Sequence, residues 1–202
     1  VQLELDFSQP LPSPSPFDQF PWSNDSPIEH MEDSAITLEC GGGNELRMEG
    51  ERVVLIPTDA FERFLIACLP YTPVEKFDWF THDIESFEPL ETVLPTLIHS
   101  VSTMFLKGER PVYIIDESSW SAYFASYLNE RGWGDVVLLG YNSETFELNA
   151  TIKRSSGMPF TLGMICGMWQ RAHGRAFQLH LTQKDDIFHL TIQSLLEYQN
   201  RP

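Results

Sequence analysis

Apolar and polar residues alternate most regularly near the end of the chain. Every second residue is apolar from 177 to 181 and again from 188 to 192. A period of two is typical of a strand with one buried face, so the two runs predict an antiparallel hairpin. If the polar residues 183–186 form its loop, His180 faces His189 across the two strands. Two opposed histidines on an open sheet face are a weak ligand set. A polar pair on the sheet surface explains them better, and we predict no metal.

The stretch before the hairpin, Gly157–Gly174, carries apolar residues on most sides of a helix. Such a pattern predicts a helix that is buried on several sides. Gly163 and Gly167 lie four residues apart on one face, and a helical glycine costs up to about 1 kcal/mol relative to alanine. The close approach of another backbone or of a ligand would offset that cost.

Shorter patterns predict the remaining elements. Strands are predicted at Ile36–Cys40, Glu45–Met48, Arg52–Ile56, Pro111–Ile115, Val136–Tyr141 and Phe146–Ile152. Helices are predicted at Thr58–Leu69, at Pro95–Lys107 and from Asp116 to Arg131. The acidic and aromatic residues 71–93 are predicted to form a solvated loop. Together these elements predict a single α+β domain over residues 35–202, with a mostly antiparallel sheet.

Residues 1–34 differ from the rest, because six prolines there prevent a continuous helix or a central strand. Phe17, Phe20 and Trp22 lie among these prolines. One interpretation is an extended arm that docks these rings on the domain or on a partner. A linker with incidental aromatic residues is the other.

The formal net charge of −16 narrows the choice of partners. Nucleic acid and anionic membranes are disfavoured, because phosphate contacts need clustered Lys and Arg. Solubility is the commonest reason for such a charge, while mimicry of nucleic acid and docking on a basic partner both stay open. Cys40, Cys68 and Cys166 form no disulfide framework, which favours the cytoplasm. The chain has no run of about 18 apolar residues, so no membrane span is predicted.

Candidate chemistry adds little to this description. The chain has no nucleophile elbow, no HExxH motif and no phosphate loop. We therefore predict a protein that is not an enzyme and has no cofactor. A catalytic cluster assembled from distant positions stays open.

The order of elements from Ser118 to Ile192 carries a resemblance: an aromatic helix, Arg131-Gly132-Trp133-Gly134, two strands, a helix with two glycines and a final hairpin. This order resembles the 4-vinyl-reductase domain family, which shares its fold with TRAPP trafficking subunits and haem-NO-binding domains. RVVLIPTDAFERFLIACL at 52–69 resembles that family's early strand and helix, so that the likeness covers about 50–195. Many members bind zinc through cysteines, but the corresponding places here hold Ser155, Ser156 and no cysteine from 180 to 189. The resemblance therefore implies no zinc site.

The same resemblance implies an apolar cavity between the glycine-containing helix and the sheet. Its predicted walls are apolar, aromatic or glycine residues: Met158, Phe160, Gly163, Met164, Gly167, Met168, Trp169, Trp120 and Tyr123. The first hypothesis is thus a non-enzymatic module that binds or senses an apolar small molecule, with ordinary core packing as the competing explanation for each wall residue. The alternative is an interaction or assembly protein. It would bind a protein partner or a second copy through its acidic surface, its arm and an exposed Trp133.

Overall fold

The computed structural model describes residues 38–41, 45–48, 50–54, 56, 60–61, 63–64, 67, 77–85, 88–108, 111–155 and 157–195. The predicted arm 1–34, with Phe17, Phe20 and Trp22, lies outside these residues. Of the predicted helix Thr58–Leu69, residues 60, 61, 63, 64 and 67 are described, and they are helical.

Two sheets are present in the described part of the chain. The small sheet is an antiparallel meander of β1 (Leu38–Gly41), β2 (Glu45–Met48) and β3 (Glu51–Val53), close to the three predicted strands. The large sheet has the order β4-β7-β8-β6-β5, and only β4 and β7 are parallel. Its strands are β4 (Phe80–Asp83), β5 (Val136–Asn142), β6 (Glu147–Lys153), β7 (Phe177–Lys184) and β8 (Ile187–Ser194). The predicted α+β class with a mostly antiparallel sheet and a final hairpin is confirmed.

Three helices accompany the large sheet: α1 (Glu88–Lys107), α2 (Glu117–Tyr123) and α3 (Met158–His173). Asp116 begins α2, because its side chain accepts a hydrogen bond from the backbone N–H of Ser119 at 2.9 Å. The chain then continues from α2 into a π-helical segment, Phe124–Asn129. Gly174 ends α3 in the left-handed conformation with φ 61°, the usual role of glycine after a helix.

The core lies on one face of the large sheet. Alternate strand residues are fully buried there, among them Leu148, Ile152, Leu179, Phe188 and Ile192. They belong to one cluster with buried residues of all three helices. Since side chains alternate across a strand, the polar residues between them face the other way. This pattern leaves the second face of the sheet for polar contacts.

Helices α1 and α3 pack directly against each other, and the two glycines of α3 lie at their contact. A Cβ atom on Gly163 would lie 2.5 Å from Cβ of Val101 and 3.0 Å from the carbonyl oxygen of Ile98. A Cβ atom on Gly167 would lie 2.8 Å from Cβ of Phe105. The close approach that the sequence predicted is therefore that of helix α1.

The register predicted for the final hairpin was wrong. Lys184 pairs with Ile187, so the turn has two residues, Asp185 and Asp186, instead of four. Asp185 adopts φ 55°, a conformation that Asp tolerates better than most residues and that tight hairpin turns require. His180 consequently faces Thr191, and His189 faces Thr182. The predicted pair of opposed histidines does not form.

The helix predicted at Pro95 begins seven residues earlier, at Glu88, and Pro95 lies inside it. Val93 and Leu94 are buried beside Ile98, so core packing extends the helix through a residue that normally starts one. Strand β4 lies in the segment 71–93, which was predicted as a loop. The first error arises because burial outweighs local sequence preference, and the second because β4 pairs with the distant strand β7.

Pro111–Ile115 was predicted as a strand, but it joins no sheet. Its backbone bonds instead to hydroxyl groups of α2: the N–H of Tyr113 donates to Tyr123 Oη at 3.1 Å, and the N–H of Ile115 donates to Ser119 Oγ at 3.3 Å. Helix α2 thus takes the place of a neighbouring strand.

Candidate functional site on the open face of the sheet

A row of polar side chains crosses four strands on the face of the large sheet opposite the core. Backbone register places Thr81 of β4 beside His180 of β7, His180 beside Thr191 of β8, and Thr191 beside Asn149 of β6. These four side chains are half-buried or exposed. Directly paired residues share a face, so strand order alone brings together groups that are far apart in sequence.

A groove of about 470 Å³ runs over this row. It is lined only by polar side chains: Thr81, Glu147, Asn149, Gln178, His180, Thr191 and Gln193. Hydroxyl, amide and imidazole groups can both donate and accept hydrogen bonds, and a carboxylate accepts them. The groove is therefore equipped to form hydrogen bonds with a polar group.

One end of the groove is a network of hydrogen bonds around Glu147. Thr191 Oγ1 donates to Asn149 Oδ1 at 2.7 Å, and Asn149 Nδ2 donates to Glu147 Oε1 at 2.9 Å. Gln193 Nε2 donates to the other carboxylate oxygen, Oε2, at 3.2 Å. Both oxygens of Glu147 are thus held by amides. Each oxygen keeps a lone pair for a further donor, because a carboxylate accepts about four hydrogen bonds.

At the other end, His180 lies between a hydroxyl and a carboxylate. Thr81 Oγ1 lies 2.9 Å from His180 Nδ1, and Asp83 Oδ2 lies 3.4 Å from His180 Nε2. Hydroxyl, imidazole and carboxylate in this order can move a proton from the hydroxyl to the ring. However, the side chains of His180 and Asp83 are 40% and 76% exposed, and such groups act most strongly where water is excluded. We assign them to hydrogen bonding, and the absence of enzymatic activity stays a prediction.

Most of the predicted cavity wall is packed core. Met158 and Trp169 are fully buried, Met168 is 1% exposed, and the glycine faces are filled by α1. The indole N–H of Trp169 donates to the carbonyl oxygen of Phe146 at 2.8 Å. Met164 is half-buried against the same cluster. The structure brings these residues together, but as neighbours in a core.

Phe160 and Trp133 belong to a second aromatic group. The Phe160 ring lies 4.8 Å from Phe61 and 6.4 Å from Trp133, and Trp133 lies 5.9 Å from Phe61. Trp133 was expected to be exposed, but it is half-buried against these rings and the core. Tyr123 is half-buried and stacks on Tyr127 at 5.3 Å.

Trp120 differs from the other predicted wall residues. It is fully buried, and its indole N–H has no hydrogen bond of standard geometry. Burial raises the pKa of the Tyr141 hydroxyl, and a contact with the Trp120 indole N–H lowers it. Buried polar groups are nearly always paired, and an unpaired one costs about 1–3 kcal/mol. Trp120 packs against Phe124, Tyr141 and His173 at 5.7, 6.0 and 6.2 Å.

His173 is surrounded by aromatic rings at the end of α3. It stacks on Tyr141 at 5.9 Å, and Phe146 and Trp169 lie 4.6 and 4.8 Å away. Its Nε2 atom lies 3.4 Å from Tyr141 Oη. Burial lowers the pKa of His173, and the nearby charge of Arg175 lowers it further. Both effects favour the neutral imidazole.

Three further observations concern the described residues. No three His, Cys, Asp or Glu side chains there lie close enough together to hold a metal ion. Cys166 is buried and free, and burial raises the pKa of its thiol, so it is a poor nucleophile. Within the described ranges, no helix is long and apolar enough to cross a membrane.

Sequence reasoning did not single out Glu147, Asn149, Thr191 or Gln193 as a site. The only available signal was their place at the polar positions of alternating strands. In comparisons with known proteins, no family model and no curated protein matches this chain. The resemblance to the 4-vinyl-reductase domain family therefore stays a prediction.

Proposed function

We propose that this protein is an interaction module that binds a basic segment of a partner protein in the groove on the open face of its large sheet. One observation carries the proposal. Glu147 is held through both oxygens by Asn149 and Gln193, while no Lys, Arg or His in the described part of the chain forms an ion pair with it. A positioned carboxylate with spare acceptor capacity suits a Lys or Arg head group.

Preorganisation supports this choice of ligand. The network Thr191–Asn149–Glu147–Gln193 fixes the carboxylate before a partner arrives. A partner then loses less binding free energy to ordering side chains. The hydrogen bonds of an Arg fork to a carboxylate are also among the stronger ones in proteins.

The net charge of the whole chain also favours a basic partner. With a formal net charge of −16, the protein attracts basic partners over a distance and speeds their encounter. Asp83 adds a second exposed carboxylate beside the groove. The proposal thus keeps the acidic-surface hypothesis drawn from the sequence and gives it a location.

The experiment uses short peptides as probes of the groove. Acetyl-Gly-Arg-Gly-amide is titrated into the ¹⁵N-labelled full chain, with acetyl-Gly-Glu-Gly-amide as the control peptide. We expect only the arginine peptide to shift the resonances of Glu147, Asn149, Thr191 and Gln193. Glu147→Gln should weaken that binding about tenfold, which is about 1.4 kcal/mol. Glu130→Gln makes the same change of net charge at an exposed position outside the groove, and it should change the affinity less than about twofold.

Two results would contradict the proposal. One is equal shifts from the two peptides. The other is equal weakening by Glu147→Gln and Glu130→Gln, because that would assign binding to net charge and not to the groove.

The indole N–H of Trp120 has no hydrogen bond of standard geometry, and this favours a second candidate, the small-molecule hypothesis drawn from the sequence. A largely apolar ligand with one hydrogen-bond acceptor would satisfy this N–H among the rings of Phe124, Tyr141 and His173. Native mass spectrometry of the purified chain should then detect a retained small molecule. A clean apo mass, with no uptake from a panel of lipids and tetrapyrroles, would exclude this candidate.

A further inference from the structure

The segment Pro111–Ile115, between α1 and α2, presents two of the most exposed apolar side chains of the described residues. Tyr113 is 73% exposed and Ile115 is 84% exposed. Val112 and Ile114 between them are half-buried, and Ile114 packs against the core. This alternation is that of a strand with one side against the protein. The segment therefore alternates like a strand, but none of the described strands pairs with it.

One edge of the segment is already bonded to α2. The N–H groups of Tyr113 and Ile115 donate to the hydroxyls of Tyr123 and Ser119, and the Tyr123 hydroxyl donates to the carbonyl oxygen of Pro111 at 3.4 Å. Peptide groups of successive residues in an extended chain point to opposite sides. Those of Val112 and Ile114 therefore lie on the other edge, and within the described ranges no backbone or side-chain group bonds to them.

We propose that Pro111–Ile115 is a dimerisation strand, which pairs antiparallel with the same segment of a second copy about a two-fold axis at Tyr113. In that register Val112 lies opposite the partner's Ile114, and Ile114 lies opposite the partner's Val112. Each of these pairs exchanges both of its hydrogen bonds, as alternate pairs of an antiparallel ladder do. The outward edge is thus complementary to itself, which a two-fold interface requires.

Side chains support a second copy as the occupant. Tyr113 lies opposite the partner's Tyr113, and cross-strand aromatic pairs stabilise such contacts. The segment contains no charged residue. Two chains of net charge −16 can therefore meet along it without placing carboxylates face to face. Burial of two exposed apolar residues from each chain adds a hydrophobic contribution.

Disulfide trapping tests the register directly. In the full chain with Cys40→Ser and Cys68→Ser, the variant Tyr113→Cys places two thiols opposite each other, at the close Cα spacing of about 4.5 Å that permits a disulfide. Ile115→Cys is the matched control, because it lies opposite the partner's Pro111 and about 13 Å from its own counterpart. We expect a covalent dimer after mild oxidation of Tyr113→Cys and a monomer for Ile115→Cys.

Sedimentation equilibrium supplies a second measurement without cysteines. The unmodified chain should dimerise, and Tyr113→Lys should raise the dissociation constant at least about tenfold, because it places like charges opposite each other. Tyr113 is exposed, so the variant and the unmodified chain should have the same unfolding midpoint when both are diluted until they are monomeric, and this equality confirms that the variant is folded. A monomeric unmodified chain at 0.5 mM, equal trapping of the two cysteine variants, or an undisturbed dimer of Tyr113→Lys would each overturn the proposal.

Discussion

Gly163 sets the distance between two helices. Its missing side chain admits Val101 and the carbonyl oxygen of Ile98 from α1, and Gly167 admits Phe105 one turn later. The helix-propensity cost of each glycine, about 1 kcal/mol, is offset by the dispersion contacts that this close approach creates. The two glycines within helix α3 are thus explained by the close packing of α3 against α1.

Gly163→Ala should destabilise the protein by about 2 kcal/mol, since its Cβ atom would lie 2.5 Å from Cβ of Val101. Urea unfolding followed by circular dichroism measures the change. Gly140→Ala is the control, because no atom lies within 4 Å of the added Cβ atom; it should change stability by less than about 1 kcal/mol. If the two variants were equally stable, the contact between α1 and α3 at Gly163 would have room for a methyl group, and the explanation would be wrong.

His173 makes stability depend on pH. Its pKa is lowered in the folded protein by burial and by Arg175, while the unfolded chain titrates near its ordinary value of about 6.5. Below that pH the unfolded state binds more protons. The free energy of unfolding therefore falls as the pH drops through 6.5 towards the lowered value.

His173→Gln removes this titration but keeps a polar side chain. We expect the unmodified protein to lose more stability than His173→Gln between pH 7.5 and pH 5.5, with carboxylate effects below that range common to both. Urea midpoints at each pH measure the difference. Parallel pH profiles of the two proteins would show that His173 is not the titrating group.

At the scale of elements, Arg171 ties the end of α1 to α3. Its Nη2 atom lies 2.7, 2.6 and 2.6 Å from the carbonyl oxygens of Phe105, Leu106 and Gly108. The last carbonyls of a helix lack partners within the helix and carry its partial negative charge. A cation from a neighbouring helix satisfies both needs, and it is held further by the Phe105 ring, 5.1 Å from the guanidinium.

Arg171→Met should cost about 2 kcal/mol, because two part-buried carbonyl groups and one exposed carbonyl group lose charge-assisted hydrogen bonds. Arg175→Met is a suitable comparison. Arg175 is exposed and lies 4.7 Å from the Phe146 ring, so its loss should cost less than about 1 kcal/mol. Thermal unfolding of both variants measures the two losses of stability. A larger loss of stability for Arg175→Met would contradict the proposed role of Arg171 at the C-terminal end of α1.

Elements defined by local patterns were predictable. The hairpin β7–β8, helix α3 and the Asp116 cap follow from alternation, apolar residues and a capping side chain. Strand β4 was not, because its partner β7 lies about a hundred residues later: Thr81 meets His180 at a separation of 99. The hairpin register was missed because a run of four polar residues does not reveal that Asp185 takes positive φ.

The candidate site could not be predicted from the sequence for the same reason, namely that its residues come from distant strands. The polar character of Glu147, Asn149 and Thr191 is visible in the sequence, but their convergence depends on the order of strands β8 and β6. The position of the Trp120 N–H, which has no hydrogen bond of standard geometry, is likewise a result of packing. Side-chain chemistry was readable, and the meeting of distant side chains was not.

At the scale of the whole molecule, the net charge of −16 should oppose compactness. Folding brings these charges closer together, so their mutual repulsion destabilises the native state, and salt screens it. We expect the midpoint of thermal unfolding to rise by a few degrees when NaCl is raised from about 20 to about 300 mM. Over this range the Debye length falls from above to below about 10 Å, so the repulsion between the charges is screened. A midpoint that is constant or falls with salt would show that attractive charge pairs dominate instead.

The parallel pairing of β4 with β7 also has a consequence for synthesis on the ribosome. Strand β4 and helix α1 emerge early, after the small sheet, yet the strand that pairs with β4 and the helix that packs against α1 are both made much later. Until residues 158–184 have left the exit tunnel, the apolar side of α1 and one whole edge of β4 stay uncovered. The nascent chain therefore exposes apolar surface for a long interval, and such exposure favours binding by chaperones. Its last third completes the native core, so premature termination there should yield insoluble fragments.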